Sequence, residues 1–161
     1  MNRYPPDWPE ISRRVKEEAG WRCVRCGHPA EKPKTRISCD DRCDLARHPG
    51  GLNDGRQRVL TVHHLNGDKA DVRWWNLVAL CQVCHLRVQG KVIMGRAWLL
   101  PHSEWFRPYV AGYYAWFFCG QELTREEVER QIPDLLELQM HMKEVVHIAN
   151  PAPPAGRGGI E

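Results

Sequence analysis

The 161-residue sequence predicts an α+β domain that is stapled by a bound metal ion and extended by helices after its core. Three observations support this fold class. Two C-x-x-C pairs, Cys23/Cys26 and Cys81/Cys84, offer four thiolates, which is the number that a tetrahedral zinc site requires. The stretch RVLTVHHL, residues 58–65, has the β-branched content of a strand. Aromatic residues recur at helical spacing from Trp105 to Phe118.

The first element is a predicted helix in DWPEISRRVKEEAG, residues 7–20. We expect Asp7 to cap it, Pro9 to occupy the first turn and Glu10 to complete a capping box, with Gly20 at the end. The turn WRCVRCGH follows and carries the first C-x-x-C pair. Residues 29–58 are rich in Pro, Gly, Asp and Arg and are predicted to form a long insertion.

The four cysteines are predicted to hold one structural zinc ion, because a site with four thiolate ligands leaves no open position. The alternatives are four ordinary buried cysteines or a C-x-x-C thiol oxidoreductase. The second alternative normally requires a βαβ pattern around the motif, and neither pair has one.

A second group of residues, rich in histidine, lies within residues 61–91. His63 and His64 are adjacent on the predicted strand, so their side chains should point to opposite sides. One histidine would then bind a metal ion, and the other would act as a base. Residues 74–80 are predicted to be a loop that contains Asn76, and a short helix follows from near Cys81. That helix would carry His85 toward the ion held by His63, and the amide of Asn76 can hold an imidazole in one tautomer.

The segments VHHLNGD, WWNLVALC and QVCHL, in this order and with both C-x-x-C pairs, resemble the HNH endonucleases of the ββα-metal fold in their four-cysteine, zinc-stapled form. The resemblance covers about residues 12–91. It implies that His63 and His85 bind the catalytic divalent ion, that His64 is the general base and that Asn76 orients the catalytic loop and the base. It also implies structural Zn²⁺ on Cys23, Cys26, Cys81 and Cys84.

The activity that the resemblance implies is metal-dependent hydrolysis of DNA phosphodiester bonds, with double strands favoured over single strands. The catalytic ion would be Mg²⁺, Mn²⁺ or Ni²⁺. Asp68 or Asp71 could add a carboxylate ligand, but a role in a turn or a helix cap explains both residues equally well. The alternative function is a zinc-stapled DNA-binding or adaptor module without catalysis, because a fold does not determine an activity.

Basic side chains near the histidines are candidates for contacts with DNA phosphates: Lys69, Arg73, Arg87 and Lys91, with Arg56 and Arg58 on the preceding loop. The net charge is +3, and it is unevenly distributed. Lys and Arg outnumber Asp and Glu in residues 1–120, whereas Asp and Glu outnumber Lys and Arg in residues 121–161. Ordinary solvated charges are the other interpretation. Trp74 and Trp75 could stack on bases, but we favour a role in fixing the loop to the core.

The insertion contains a possible second zinc site, formed by Cys39, Cys43 and His48 together with His28. The alternative is a mobile loop with spare thiols. Cys119, at the end of the aromatic stretch, is predicted to be an ordinary buried cysteine.

The predicted domain organisation is a nuclease domain over residues 1–95, a helical extension over 96–148 that packs on it, and a disordered tail over 149–161. Within the extension, Ser103 is a plausible helix cap, Pro108 suits a first turn and Thr124 to Glu127 form a capping box. Pro133 separates the next acidic helix, and these acidic helices are candidates for a homodimer or protein contact. No long apolar run or signal-like segment is found, so we expect a cytoplasmic protein.

Overall fold

The computed structural model describes residues 3–30, 58–88 and 103–138. Along the chain the elements are α1 (Trp8–Glu18), β1 (Leu60–His64), a short 3₁₀ helix (Trp74–Asn76), β2 (Leu77–Cys81), α2 (Gln82–Val88), α3 (Arg107–Cys119), α4 (Arg125–Arg130) and α5 (Ile132–Glu137). Helices are thus combined with a small antiparallel sheet, which confirms the predicted α+β class. None of the helices in these ranges is both long and apolar enough to cross a membrane.

The sheet consists of β1 and β2, which pair antiparallel from Leu60 opposite Cys81 to His64 opposite Leu77. The predicted strand at residues 58–65 is therefore confirmed. Strand β2 was predicted as a loop, and that prediction is wrong. All five residues of β2 are buried. A strand covered on both faces has a continuous apolar sequence, so it lacks the alternation that reveals a half-exposed strand.

Helix α1 lies against the sheet and buries Ile11. Pro9 occupies its first turn, as predicted, but Asp7 makes no side-chain cap. Glu10 instead pairs with Arg13 one turn later, so the expected capping box does not form. The helix ends at Glu18, and Gly20 and Trp21 follow with positive φ values of 59° and 54°, which turn the chain into the first cysteine pair.

Helix α3 is the centre of the extension, with Val110 and Tyr114 fully buried. Gly112 faces the Trp74–Trp75 pair closely enough that an added Cβ would lie 2.8 Å from Trp74 Cζ2. The Trp74 indole N–H donates to the Leu123 carbonyl at 2.8 Å, and Trp75 is buried. These two tryptophans therefore fix the loop before β2 to the extension, as favoured above.

Some of the helix caps predicted for the extension form, and one does not. Thr124 and Glu127 form the predicted capping box, and Pro108 and Pro133 lie in the first turns of α3 and α5. Helix α3 begins at Arg107, and Ser103 contributes only its backbone carbonyl to the N–H groups of Phe106 and Arg107.

Cys119 is exposed at the last position of α3, so the prediction of a buried cysteine is wrong. The reason is that the buried face of α3 runs from Tyr109 to Ala115, and the core ends before the helix does. Cys39, Cys43, His48, Arg56 and Lys91 lie outside the described residues, as do most of the insertion and the predicted tail. Those predictions stay untested.

Candidate functional site

The sulfur atoms of Cys23, Cys26, Cys81 and Cys84 form one cluster, with all four within 4.8 Å of one another. The Sγ atoms of Cys26 and Cys81 are 4.0 Å apart. Four sulfurs around a zinc ion with Zn–S of about 2.3 Å would be separated by about 3.8 Å in a tetrahedron. The cluster therefore fits a metal ion such as zinc, although 55 positions separate Cys26 from Cys81 in the sequence.

Local backbone structure brings each cysteine pair into position. The first pair lies in a tight hairpin, in which Arg22 pairs with Pro29 and Gly27 has a φ of +73°. The Gly27 N–H donates to the Cys23 carbonyl at 2.7 Å. The second pair joins the end of β2 to the start of α2, where the Cys84 N–H donates to Cys81 Sγ at 3.4 Å. The Val24 N–H donates to the Ala79 carbonyl and connects the hairpin to β2.

The electrostatics of the cluster favour a bound cation. Hydrogen bonds, first from Cys23, hold the pKa of Cys81 far below its usual range, whereas the same kind of contact raises the pKa of Cys26 and of Cys84. Four thiolates at this spacing repel one another unless a positive charge lies between them. Arg25 adds a cation at the edge of the cluster, because its Nη1 donates to Cys84 Sγ at 3.7 Å. Since both pairs belong to one buried cluster, neither is arranged as an isolated redox C-x-x-C.

His63 and His85 meet where β1 and α2 are in contact. Their ring centroids are 4.6 Å apart, with His63 on β1 and His85 on α2, and both side chains are half-buried. Burial first, and then the nearby His85 and His64, lower the pKa of His63 to about 4. A neutral imidazole presents a nitrogen lone pair, so the lowered pKa of His63 leaves that ring able to bind a cation, with the ring of His85 beside it.

His64 points to the other side of β1, as the strand geometry predicts. Its ring lies against Trp8, with centroids 4.8 Å apart, and against Tyr4, with centroids 5.6 Å apart, and Tyr4 also stacks on Trp8. The residue is 6% exposed, and its buried Nε2 has no hydrogen-bond partner among the residues that the structure describes. Burial lowers the pKa of His64, and the carboxylates of Asp71 and Asp68 oppose that effect.

Asn76 is fully buried and holds the loop that joins β1 to β2. Its Oδ1 accepts the Asn66 backbone N–H at 2.8 Å, and its Nδ2 donates to the Asp71 carbonyl at 2.8 Å. Its own backbone carbonyl accepts the Leu65 N–H at 2.8 Å. Both polar atoms of the amide thus bind loop backbone rather than an imidazole. Any orientation of His64 by Asn76 acts through the loop that begins next to it.

Arg73 and Asp71 form an ion pair that stabilises the same loop. The Asp71 carboxylate accepts from Arg73 Nε at 2.8 Å, from Arg73 Nη2 at 2.6 Å and from Asn66 Nδ2 at 2.7 Å. Burial alone would raise the pKa of Asp71, but these bonds hold it below its usual value. The Arg73 guanidinium also lies 3.8 Å from the centroid of the Trp116 ring on α3.

These contacts separate the candidate DNA-binding residues. Arg73 is engaged with Asp71 and Trp116, which fixes its guanidinium between the loop and α3. Lys69 and Arg87 are exposed, and the Lys69 ammonium lies 5.0 Å from the Tyr4 ring centroid. Arg58 is buried, which does not suit a surface contact with DNA. The Asp71 carboxylate already accepts hydrogen bonds from Arg73 and Asn66, so it is poorly suited to metal binding. The exposed Asp68 carboxylate accepts the Ala70 N–H in the turn.

His28 is buried, and its Nδ1 lies 2.7 Å from the Pro29 carbonyl. That contact fixes the ring within the first hairpin. Its three proposed partners in a second zinc site lie outside the described residues, so that site stays a prediction.

Three contacting residues were missed by the sequence reasoning. Trp8 and Tyr4 cover His64, and nothing in the local sequence relates the start of α1 to a strand more than 50 residues later. Thr61 Oγ1 lies 3.2 Å from His85 Nδ1. A signal did exist for Thr61, because it lies two positions before His63 and therefore on the same face of the strand.

No family model, curated protein or solved structure matches this chain.

Proposed function

We propose that this protein is a metal-dependent endonuclease of the HNH type that hydrolyses DNA phosphodiester bonds. The observation that carries the proposal is that the two adjacent histidines of β1 lie on opposite sides of the strand. His63 faces His85 on α2, and the adjacent His64 lies on the opposite side of the strand, beside a loop held by the buried Asn76. The order β1, β2, α2 agrees with the ββα arrangement that the sequence resemblance implies.

In this proposal His63 and His85 hold one divalent ion. Two half-buried imidazole ligands favour a transition ion such as Mn²⁺ or Ni²⁺ over Mg²⁺, which prefers oxygen ligands. When bound, such an ion supplies Lewis-acid stabilisation to a phosphate oxygen and the leaving 3′-oxygen. The four-cysteine cluster would hold a structural zinc ion and would thereby fix the start of α2, immediately before His85.

His64 has the role of general base toward water. Burial lowers the pKa of His64, and the carboxylates of Asp71 and Asp68 partly offset that effect by favouring the imidazolium that forms when the base accepts a proton. Since Nε2 is buried, we assign proton uptake to Nδ1. Asn76 holds the loop that follows His64, and Arg73 and Asp71 fix that loop against α3. The exposed Lys69 and Arg87 are left as the described candidates for phosphate contacts.

One observation favours the second candidate, a zinc-stapled DNA-binding or adaptor module without catalysis. His64 is 6% exposed beneath Trp8, which is a poor position for a group that must meet water. Under the nuclease proposal, the segment from Tyr4 to Trp8 has to move when substrate binds. Under the alternative, His64 is a packing residue and the segment stays in place.

Plasmid cleavage distinguishes the two functions. Zinc-loaded full-length protein is incubated with supercoiled plasmid and Mg²⁺, Mn²⁺, Ni²⁺ or EDTA, beside His64→Ala and a matched control, Val62→Ala, from the same face of β1. We expect metal-dependent nicking by the wild type and the control and a loss of at least about 100-fold in His64→Ala. Equal cleavage by wild type and His64→Ala contradicts the base assignment. DNA binding with no cleavage under any metal supports the non-catalytic module.

A further inference from the structure

Thr61 makes two contacts that together determine a proton position. Its Oγ1 lies 3.0 Å from the Leu80 carbonyl oxygen and 3.2 Å from His85 Nδ1. A hydroxyl group has one proton to donate, and a carbonyl oxygen can only accept. The Thr61 proton therefore belongs to the bond with Leu80. The contact with His85 is then a hydrogen bond only if Nδ1–H is the donor and the Thr61 oxygen is the acceptor.

This assignment leaves Nε2 of a neutral His85 as the nitrogen with the free lone pair. We propose that Thr61 is a positioning residue for the metal ligand His85, and that it fixes the Nδ1–H tautomer so that Nε2 is ready to bind an ion beside His63. The inference rests on the proposed function, since it assigns an orienting residue to the metal site of that nuclease. Metal-binding histidines commonly donate their second N–H to a fixed acceptor.

The position of Thr61 suits this role. It is paired with Leu80 in the sheet register, so its hydroxyl is anchored to the neighbouring strand. It also lies two residues before His63, and both side chains project from the same face of β1 toward α2. One hydroxyl thus links the sheet to the helix that carries His85. The bond restricts rotation of the imidazole, which lowers the entropy lost when an ion binds.

Two substitutions separate the hydrogen bond from the packing. Thr61→Val keeps the shape and the β-branched character of the side chain but removes the hydroxyl. Thr61→Ser keeps the hydroxyl and removes the methyl group. A positioning role requires that Ser restores what Val loses, whereas a packing role requires the opposite order.

The first measurement reports the tautomer without any metal at the histidine pair. Long-range ¹H–¹⁵N correlation spectra of zinc-loaded protein distinguish the two nitrogens of His85 by chemical shift. We expect the Nδ1–H tautomer in wild type and Thr61→Ser, and the Nε2–H tautomer to gain population in Thr61→Val. A wild-type His85 in the Nε2–H form overturns the proposal.

The second measurement is the affinity for Ni²⁺ by titration calorimetry, with zinc content determined before and after. We expect one exchangeable ion in wild type, a Kd about 10- to 100-fold weaker in Thr61→Val, near wild-type binding in Thr61→Ser and no binding at this site in His85→Ala. Equal Kd values for wild type and Thr61→Val overturn the positioning role and leave the nuclease proposal intact.

The two proposals fail in different ways. If Thr61→Val weakens Ni²⁺ binding and shifts the tautomer while wild-type protein cleaves no DNA, the positioning role stands and the nuclease fails. If wild-type protein binds no exchangeable ion, the histidine metal site is wrong, and the positioning role falls with it.

Discussion

Replacing Asn76 with alanine should destabilise the protein strongly, because this fully buried amide connects both ends of the loop between β1 and β2. The substitution removes two hydrogen bonds of 2.8 Å, one from the Asn66 N–H and one to the Asp71 carbonyl. The net value of such a bond is about 0.5–1.5 kcal/mol, and a polar group left without a partner costs about 1–3 kcal/mol. We expect a loss of about 2–4 kcal/mol in the free energy of unfolding.

The assay is urea unfolding at saturating zinc, followed by tryptophan fluorescence. The matched control is Asn66→Ala, which removes an exposed side chain that also bonds within the loop, to Asp71 at 2.7 Å. Because those bonds are open to water, the control should lose less than about 1 kcal/mol. A loss below about 0.5 kcal/mol in Asn76→Ala, or an equal loss in both variants, would refute the view that Asn76 holds this loop.

Three further predictions concern zinc, packing and pH. Cys81→Ser should lose tightly bound zinc, as measured by mass spectrometry of metals, whereas Cys119→Ser should keep it; equal zinc content would contradict the four-cysteine assignment. Gly112→Ala should lower stability by about 1–3 kcal/mol, because the new Cβ would lie 2.8 Å from Trp74; a gain, as helix propensity alone predicts, would show that the contact relaxes freely. Acid should destabilise the wild type more than His63→Asn between pH 6.5 and about 4, since only the unfolded state binds the His63 proton there. The difference should be on the order of 1 kcal/mol, because the ring is partly open to solvent, and parallel stability curves for the two proteins would contradict it.

The four-cysteine cluster was predictable because its information is local. Each C-x-x-C turn presents two thiols in the same direction, and tetrahedral zinc then requires the two turns to meet. Opposite faces for His63 and His64 were predictable for a similar reason, since alternation along a strand depends only on the backbone. Strand β2 was not predicted because it is buried on both faces and shows no alternation.

The errors and omissions concern contacts between distant parts of the chain. The contact of Arg73 with Trp116 in α3 was not predicted, because the two residues are far apart in the sequence. Asp7 was expected to cap α1, but Glu10 pairs with Arg13. Trp8 of α1 covers His64 of β1, and no short sequence pattern encodes that contact.

The most direct test of the central claim, that His63 and His85 hold a catalytic ion apart from the cysteine cluster, is anomalous diffraction from crystals of the zinc-loaded protein grown with Mn²⁺. We predict a manganese peak within bonding distance of both imidazoles and a separate zinc peak among the four sulfurs. A zinc peak alone, with no manganese density between His63 and His85, would contradict the account.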